Sequence, residues 1–99
     1  MTKLANESAV NKEIIAEDIN LNAYPNPFSH ETQIAFQLPE DTMVQLDVFD
    51  IYGRKIKTLL NSMLPAGAYV KLLRGLSKGV YFYRLTAGTF QQTKSLIVQ

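Results

Sequence analysis

The stretch Val44 to Arg54, VQLDVFDIYGR, constrains this chain more than any other. Val44, Leu46 and Val48 alternate with Gln45, Asp47 and Phe49, a period of two that sends the two sets to opposite faces of an extended strand. Asp50-Ile51-Tyr52-Gly53 interrupts the run, and Arg54 to Leu60 resumes an extended pattern. Gly53 has no Cβ and accepts positive φ, while the Asp50 carboxylate can receive hydrogen bonds from turn amides. The pattern predicts a central β-hairpin with one face in a hydrophobic core.

The flanking segments fit the same scheme. Ile19 to Tyr24 reads as the first strand, with Ile19, Leu21 and Ala23 inward. Pro25-Asn26-Pro27-Phe28 ends it. The prolines push Tyr24 and Asn26 toward extended backbone and cannot donate to a ladder, so the segment belongs at a sheet edge or in a crossing between sheets, with Phe28 as an apolar plug. Gln33 to Leu38 is the second strand, with Ile34, Phe36 and Leu38 inward, and Pro39-Glu40-Asp41 turns the chain into the strand that starts near Thr42.

After the hairpin, Ile56, Thr58 and Leu60 are expected in the core, and Lys55 and Lys57 in water. Leu64 to Gly67 turns into a strand over Ala68 to Arg74, where Val70 and Leu72 compete with Tyr69 and Leu73 for the inside. Val80 to Ala87 is apolar on both faces apart from Arg84, which implies a central position, and Thr89 to Val98 closes the fold. No helix is predicted. Residues 1–18 read as a linker or flexible tail, with Val10, Ile14 and Ile15 able to line only a short, marginal turn of helix. Residues 19–99 form the domain: a seven-stranded, all-β antiparallel sandwich, connected mostly by hairpins with at least one crossing between sheets.

Composition narrows the function. Ninety-nine residues, 46% of them hydrophobic, suit one domain with a real core. A net charge of +1 supplies no basic field for nucleic acid, and the lysines and arginines are dispersed as solvated strand faces. No apolar run approaches the roughly 20 residues of a spanning helix. Without cysteine there is no disulfide, thiolate ligand or thiol nucleophile. His30, the single histidine, sits in a polar loop, so neither a dyad nor a multi-histidine metal site is expected. Glu40/Asp41 marks a turn, Asp50 caps another, and Asp47 falls on the face opposite Asp50, so no glycosidase pair is expected. Asp50, Asp47, Glu40 and loop carbonyls could hold calcium, but EF-hand spacing is absent and turn capping already accounts for Asp50. The residues point to no catalysis and no cofactor. The N-terminus lacks a basic start followed by an apolar core, so a chain working outside the cell would be a piece of something longer.

Several motifs occur in order: Tyr24-Pro25-Asn26-Pro27-Phe28, Ile34-x-Phe36-x-Leu38-Pro39, and Val44-x-Leu46-x-Val48-Phe49-Asp50-x-x-Gly53-Arg54. Leu64-x-Ala66-Gly67, Gly79-Val80-Tyr81-Phe82-Tyr83-Arg84-Leu85-x-Ala87-Gly88 and Lys94-x-Leu96-x-Val98 follow. From about Leu21 to the last residue they resemble the C-terminal sorting domain of the type IX (Por) secretion system, type A. They are also similar to the immunoglobulin-like domain of flagellar hook-capping proteins. The first resemblance implies a seven-stranded immunoglobulin-like sandwich that carries a larger cargo protein from the periplasm of a Gram-negative bacterium through the outer membrane. The implied partners are an outer-membrane translocon, a surface sortase that removes the domain, and the cargo itself. The motif positions carried over are Pro25, Asn26, Pro27, Phe28, Asp50, Gly53, Gly67, Gly79, Tyr81 and Lys94. The strand before Gly79 departs from the pattern, having Leu73-Arg74 where an aromatic–acidic pair is usual.

The rival reading is a structural or carbohydrate-binding module of a secreted multidomain protein, though the lack of tryptophan weakens the carbohydrate version. Self-association is expected through strand edges or through the apolar face of Val80 and Phe82.

Overall fold

The computed structural model describes residues 15–99, and the reading of residues 1–14 as a tail lies outside them. One helical turn, α1 (Ala16–Ile19), precedes seven strands: β1 (Asn22–Tyr24), β2 (Glu31–Leu38), β3 (Thr42–Phe49), β4 (Lys55–Leu64), β5 (Gly67–Arg74), β6 (Gly79–Ala87) and β7 (Phe90–Val98). They form two antiparallel sheets, in the orders β1-β2-β5 and β4-β3-β6-β7. This is an immunoglobulin-like sandwich in which the fourth strand has joined the sheet of the third, sixth and seventh. The connections β1–β2, β3–β4 and β6–β7 stay within a sheet, and the other three cross. Crossings are therefore as frequent as hairpins, because each sheet must exchange strands with the other for both inner faces to be buried.

Alternation builds the core, on β2 and β3 as read. Ile34, Phe36 and Leu38 of β2, Val44, Leu46 and Val48 of β3, Tyr83, Leu85 and Ala87 of β6, and Leu96 and Val98 of β7 are all buried in one cluster. Burial also pushes the Tyr83 phenol above its ordinary pKa. On β5 the competition goes to Leu73, which is buried, and to Tyr69, whose ring stacks on Phe36 with centroids 5.5 Å apart. Val70 and Leu72 are left on the outer face.

Ile19 and Leu21 do point into the core, but not from one strand. Ile19 ends α1, and Asn20 takes φ 52° as the left-handed cap, a conformation asparagine tolerates better than most residues. The expected strand therefore begins only at Asn22.

β4 departs further from the alternation. Leu60 pairs with Leu46, but Thr58 pairs with Asp47, and Lys57 pairs with Val48 while Lys55 pairs with Phe49. Leu59 and Ile56 are the extra residues of two bulges, and each bulge exchanges the faces of the residues beyond it. Thr58 is thereby carried to the outer face, where its hydroxyl donates to Asp47 Oδ1 at 2.8 Å. Ile56 is left 42% exposed. Neither reaches the core, contrary to the simple period. Lys57, opposite Val48, stands at the rim, and its ammonium donates to the Arg74 carbonyl of the facing sheet at 3.4 Å.

These assignments predict different costs for the same chemical truncation. Leu85→Ala should lose about 2–5 kcal/mol through a cavity in the core. Ile56→Ala should lose under about 1 kcal/mol, as at an exposed position. Urea denaturation at constant m-value reads both, and a large loss for Ile56→Ala would restore the uninterrupted strand.

Candidate functional site

The register sets most of the motif residues at one end of the sandwich. Tyr24 lies beside Gln33, Glu31 beside Arg74, Phe49 beside Phe82, and Gly79 beside Val98. The loop from Pro25 to His30, the turn from Asp50 to Arg54, the loop from Gly75 to Lys78 and the last residues of β7 therefore share that end. Gly67 opens β5 at the opposite end, and Lys94 sits midway along β7.

The Pro25–Phe28 segment acts as a clasp on β7. The Asn26 side chain copies a peptide unit: its Nδ2 donates to the Ser95 carbonyl at 3.0 Å and its Oδ1 accepts from the Ile97 amide at 3.0 Å. Two residues on, the Phe28 amide donates to the Ile97 carbonyl at 3.0 Å, and the Gln99 amide donates to the Phe28 carbonyl at 2.8 Å. Phe28 and Val98 form a parallel bridge, with the Phe28 ring buried as the expected plug. Both X-Pro bonds, Tyr24-Pro25 and Asn26-Pro27, are cis. Thr32, fully buried, donates from its hydroxyl to the Pro25 carbonyl at 2.6 Å. Sequence reasoning did not single out Thr32, because nothing in an alternating strand marks which threonine faces a loop carbonyl. Lys94 belongs to the inward set of β7, and its ammonium donates to the Leu21 carbonyl. It closes one open flank of the sandwich as Lys57 closes the other.

Asp50 organises the β3–β4 turn as the sequence suggested. Its Oδ1 accepts from the Tyr52 and Arg54 amides at 2.9 and 3.0 Å, and its Oδ2 accepts from Arg54 Nε at 2.8 Å. Gly53, at φ 81°, completes the turn with its amide donating to the Asp50 carbonyl at 3.0 Å. Desolvation raises the Asp50 pKa, but hydrogen bonds from the Arg54 amide, the Arg54 side chain and the Tyr52 amide, with the Arg54 charge, outweigh it. The carboxyl is held below the ordinary aspartate value.

Gly67 and Gly79 play one repeated part. Tyr81 lays its ring over Gly79 and donates its hydroxyl to the Ser77 carbonyl at 2.7 Å. Tyr69 lies over Gly67 in the same way and donates to the Pro65 carbonyl. Each tyrosine thus ties the start of its strand to the loop four residues upstream. The spacing Pro65-x-Gly67-x-Tyr69 and Ser77-x-Gly79-x-Tyr81 was visible in the sequence as a repeat, and Tyr69 is the member that motif matching passed over.

The outer faces are less uniform. Val80 and Ile97, cross-strand neighbours, are 44% and 41% exposed, and Phe82 and Phe49 adjoin them. The Arg84 guanidinium covers the Phe49 ring at 4.5 Å from its centroid. Asp47 is engaged by Gln45 Nε2 at 2.9 Å and Thr58, with Lys55 Nζ 3.6 Å away. Among the described residues no three histidine, aspartate or glutamate side chains gather as a metal site. A shallow pocket lined by Tyr24, Pro25, Glu31, Thr32 and Gln33 lies beside the clasp.

These features define a small immunoglobulin-like module whose interlocking side-chain bonds are concentrated at one end and along one strand edge. Residues 22–99 match the family model of the secretion system C-terminal sorting domain. The chain belongs to that family, the sorting domains of type IX secretion. Membership makes it an export signal attached to a cargo protein and served by the secretion machinery. No curated protein gives a significant match.

The Asp50 turn yields a signed pH dependence. Its folded pKa lies below the unfolded value of about 3.9, so the stabilisation is fully present above about pH 4 and is lost as pH falls through the folded value. Melting temperatures of wild type and Asp50→Asn should differ above pH 4 and converge in stronger acid. Parallel curves throughout would remove the carboxylate from the turn.

Proposed function

We propose that this domain is a non-catalytic signal that carries a larger cargo protein through the outer membrane of a Gram-negative bacterium by the periplasmic route. An outer-membrane translocon reads the folded domain, and a surface sortase then removes it. The recognition residues are Pro25, Asn26, Pro27, Phe28, Asp50, Gly53, Gly67, Gly79, Tyr81 and Lys94. Asn26, Asp50, Tyr81 and Lys94 spend their side chains on internal bonds, so they act by shaping the surface rather than by touching the machine. The observation that carries this reading is the convergence of Asn26 and Phe28 on the backbone of Ser95 to Gln99. Such a clasp keeps the C-terminal strand folded into the sandwich and presents shape and backbone rather than a loose peptide.

The test fuses a periplasm-directed fluorescent protein to the whole 99-residue chain in a host with the type IX machine. Fluorescence should reach the surface or medium, and should remain in the periplasm of the same host without the machine. Asn26→Ala, screened first for a cooperative melt, should lower export by loosening the clasp. A fusion that stays in the periplasm, while an established sorting domain exports the same reporter, would leave a structural module as the better reading.

A further inference from the structure

Each sheet ends in two strand edges: β1 and β5 in one, β4 and β7 in the other. An edge is a template for another strand unless something blunts it. β1 is only 3 residues long. β4 is broken by two bulges and carries Lys55 and Lys57. β7 is held along Ser95 to Gln99 by the clasp. β5 has no bulge and no covering segment among the described residues, and its one mid-strand charge is Lys71, in the inward set between Tyr69 and Leu73. Its 8 residues pair with β2 in one uninterrupted register, from Leu38 opposite Gly67 to Glu31 opposite Arg74, and nothing among the described residues pairs with its other side. Its outer face shows Val70 and Leu72, 55% and 49% exposed, with Ala35 of β2 alongside Val70.

We propose that β5 pairs antiparallel with β5 of a second copy of this chain, about a two-fold axis at Val70, so that two three-stranded sheets become one of six strands. Charge disfavours the neighbouring register. An axis at Lys71 would set two ammonium groups directly opposite each other, which is destabilising. An axis at Val70 sets Val70 against its own counterpart, Leu72 against Ala68 of the second copy, and Lys71 against Tyr69 of the second copy. The last pair places a cation beside an aromatic ring. The outer face then carries a continuous apolar strip from one Leu72 to the other, which neither copy covers alone. The contact of Lys57 with the Arg74 carbonyl lies at the end of the strand, outside these central pairs. An isologous pair of this kind closes on itself and leaves no further β5 edge.

The chain contains no cysteine, so single cysteines report the register without background. Sedimentation of the wild-type chain from micromolar to millimolar concentration should show a monomer–dimer equilibrium, and Val70→Lys should shift it to monomer without changing the melt of the dilute protein. Under mild oxidation Val70→Cys should give a reducible covalent dimer. Leu72→Cys should not, because the two Leu72 positions would lie ~14 Å apart, well beyond the roughly 7 Å reach of a disulfide. Thr93→Cys on β7 serves as the control for random collision. A monomer at every concentration, cross-linking of Leu72→Cys above Val70→Cys, or equal cross-linking of Thr93→Cys would each overturn the proposal. None of these readouts depends on export.

Discussion

The rest of the sandwich depends on how its last strand is held. β7 is an edge strand of its sheet, bonded on one side to β6. An edge strand has a row of unpaired backbone groups on its open side. The structure answers with a segment that cannot be a strand, Pro25 to Phe28, whose prolines offer no amides. Asn26 supplies the missing donor and acceptor from its side chain, and Phe28 supplies them from its backbone. At about 1 kcal/mol for each net hydrogen bond, with the Phe28 ring buried beneath, the clasp is worth a sizeable part of a small domain's stability.

Other features follow from closing two sheets over one core. Each flank is open where an inward position falls at a sheet edge, and there the chain places lysine: Lys57 on β4 and Lys94 on β7. Their ammonium groups donate to the Arg74 carbonyl at the end of β5 and to the Leu21 carbonyl just before β1. The crossings between sheets are pinned by hydrogen bonds: the Asp41 carboxylate of the β2–β3 crossing accepts from the Ala66 amide of the β4–β5 crossing at 2.9 Å, and the two glycine–tyrosine ties hold the starts of β5 and β6. Only β5 keeps a full-length edge that is neither bulged nor covered among the described residues, which is why it stands out as a surface for association.

Much of this was legible in the residues, and the exceptions have physical causes. Val44, Leu46, Val48, Ile34 and Phe36 follow a strict period of two because one face of each strand is buried, and such strands read plainly. β4 does not, because two bulges shift its phase and no residue type announces a bulge; Ile56 and Thr58 were placed inside for that reason. The short helical turn before Asn20 was hidden since Ile19 and Leu21 keep the spacing of a strand while belonging to different elements. The Asp50 turn was readable because Asp and Gly act locally. The partners of Asn26 lie 69 and 71 residues away, so local sequence named the residue but not its bonds.

Hydrogen exchange in the native state tests most directly whether the C-terminal strand is a locked part of the fold. The Ile97 and Gln99 amides, bonded to Asn26 and Phe28, should exchange only through global unfolding, with the same opening free energy as the β3 and β6 amides of the core. Exchange of these two amides by fast local opening, with the core still protected, would contradict the clasp.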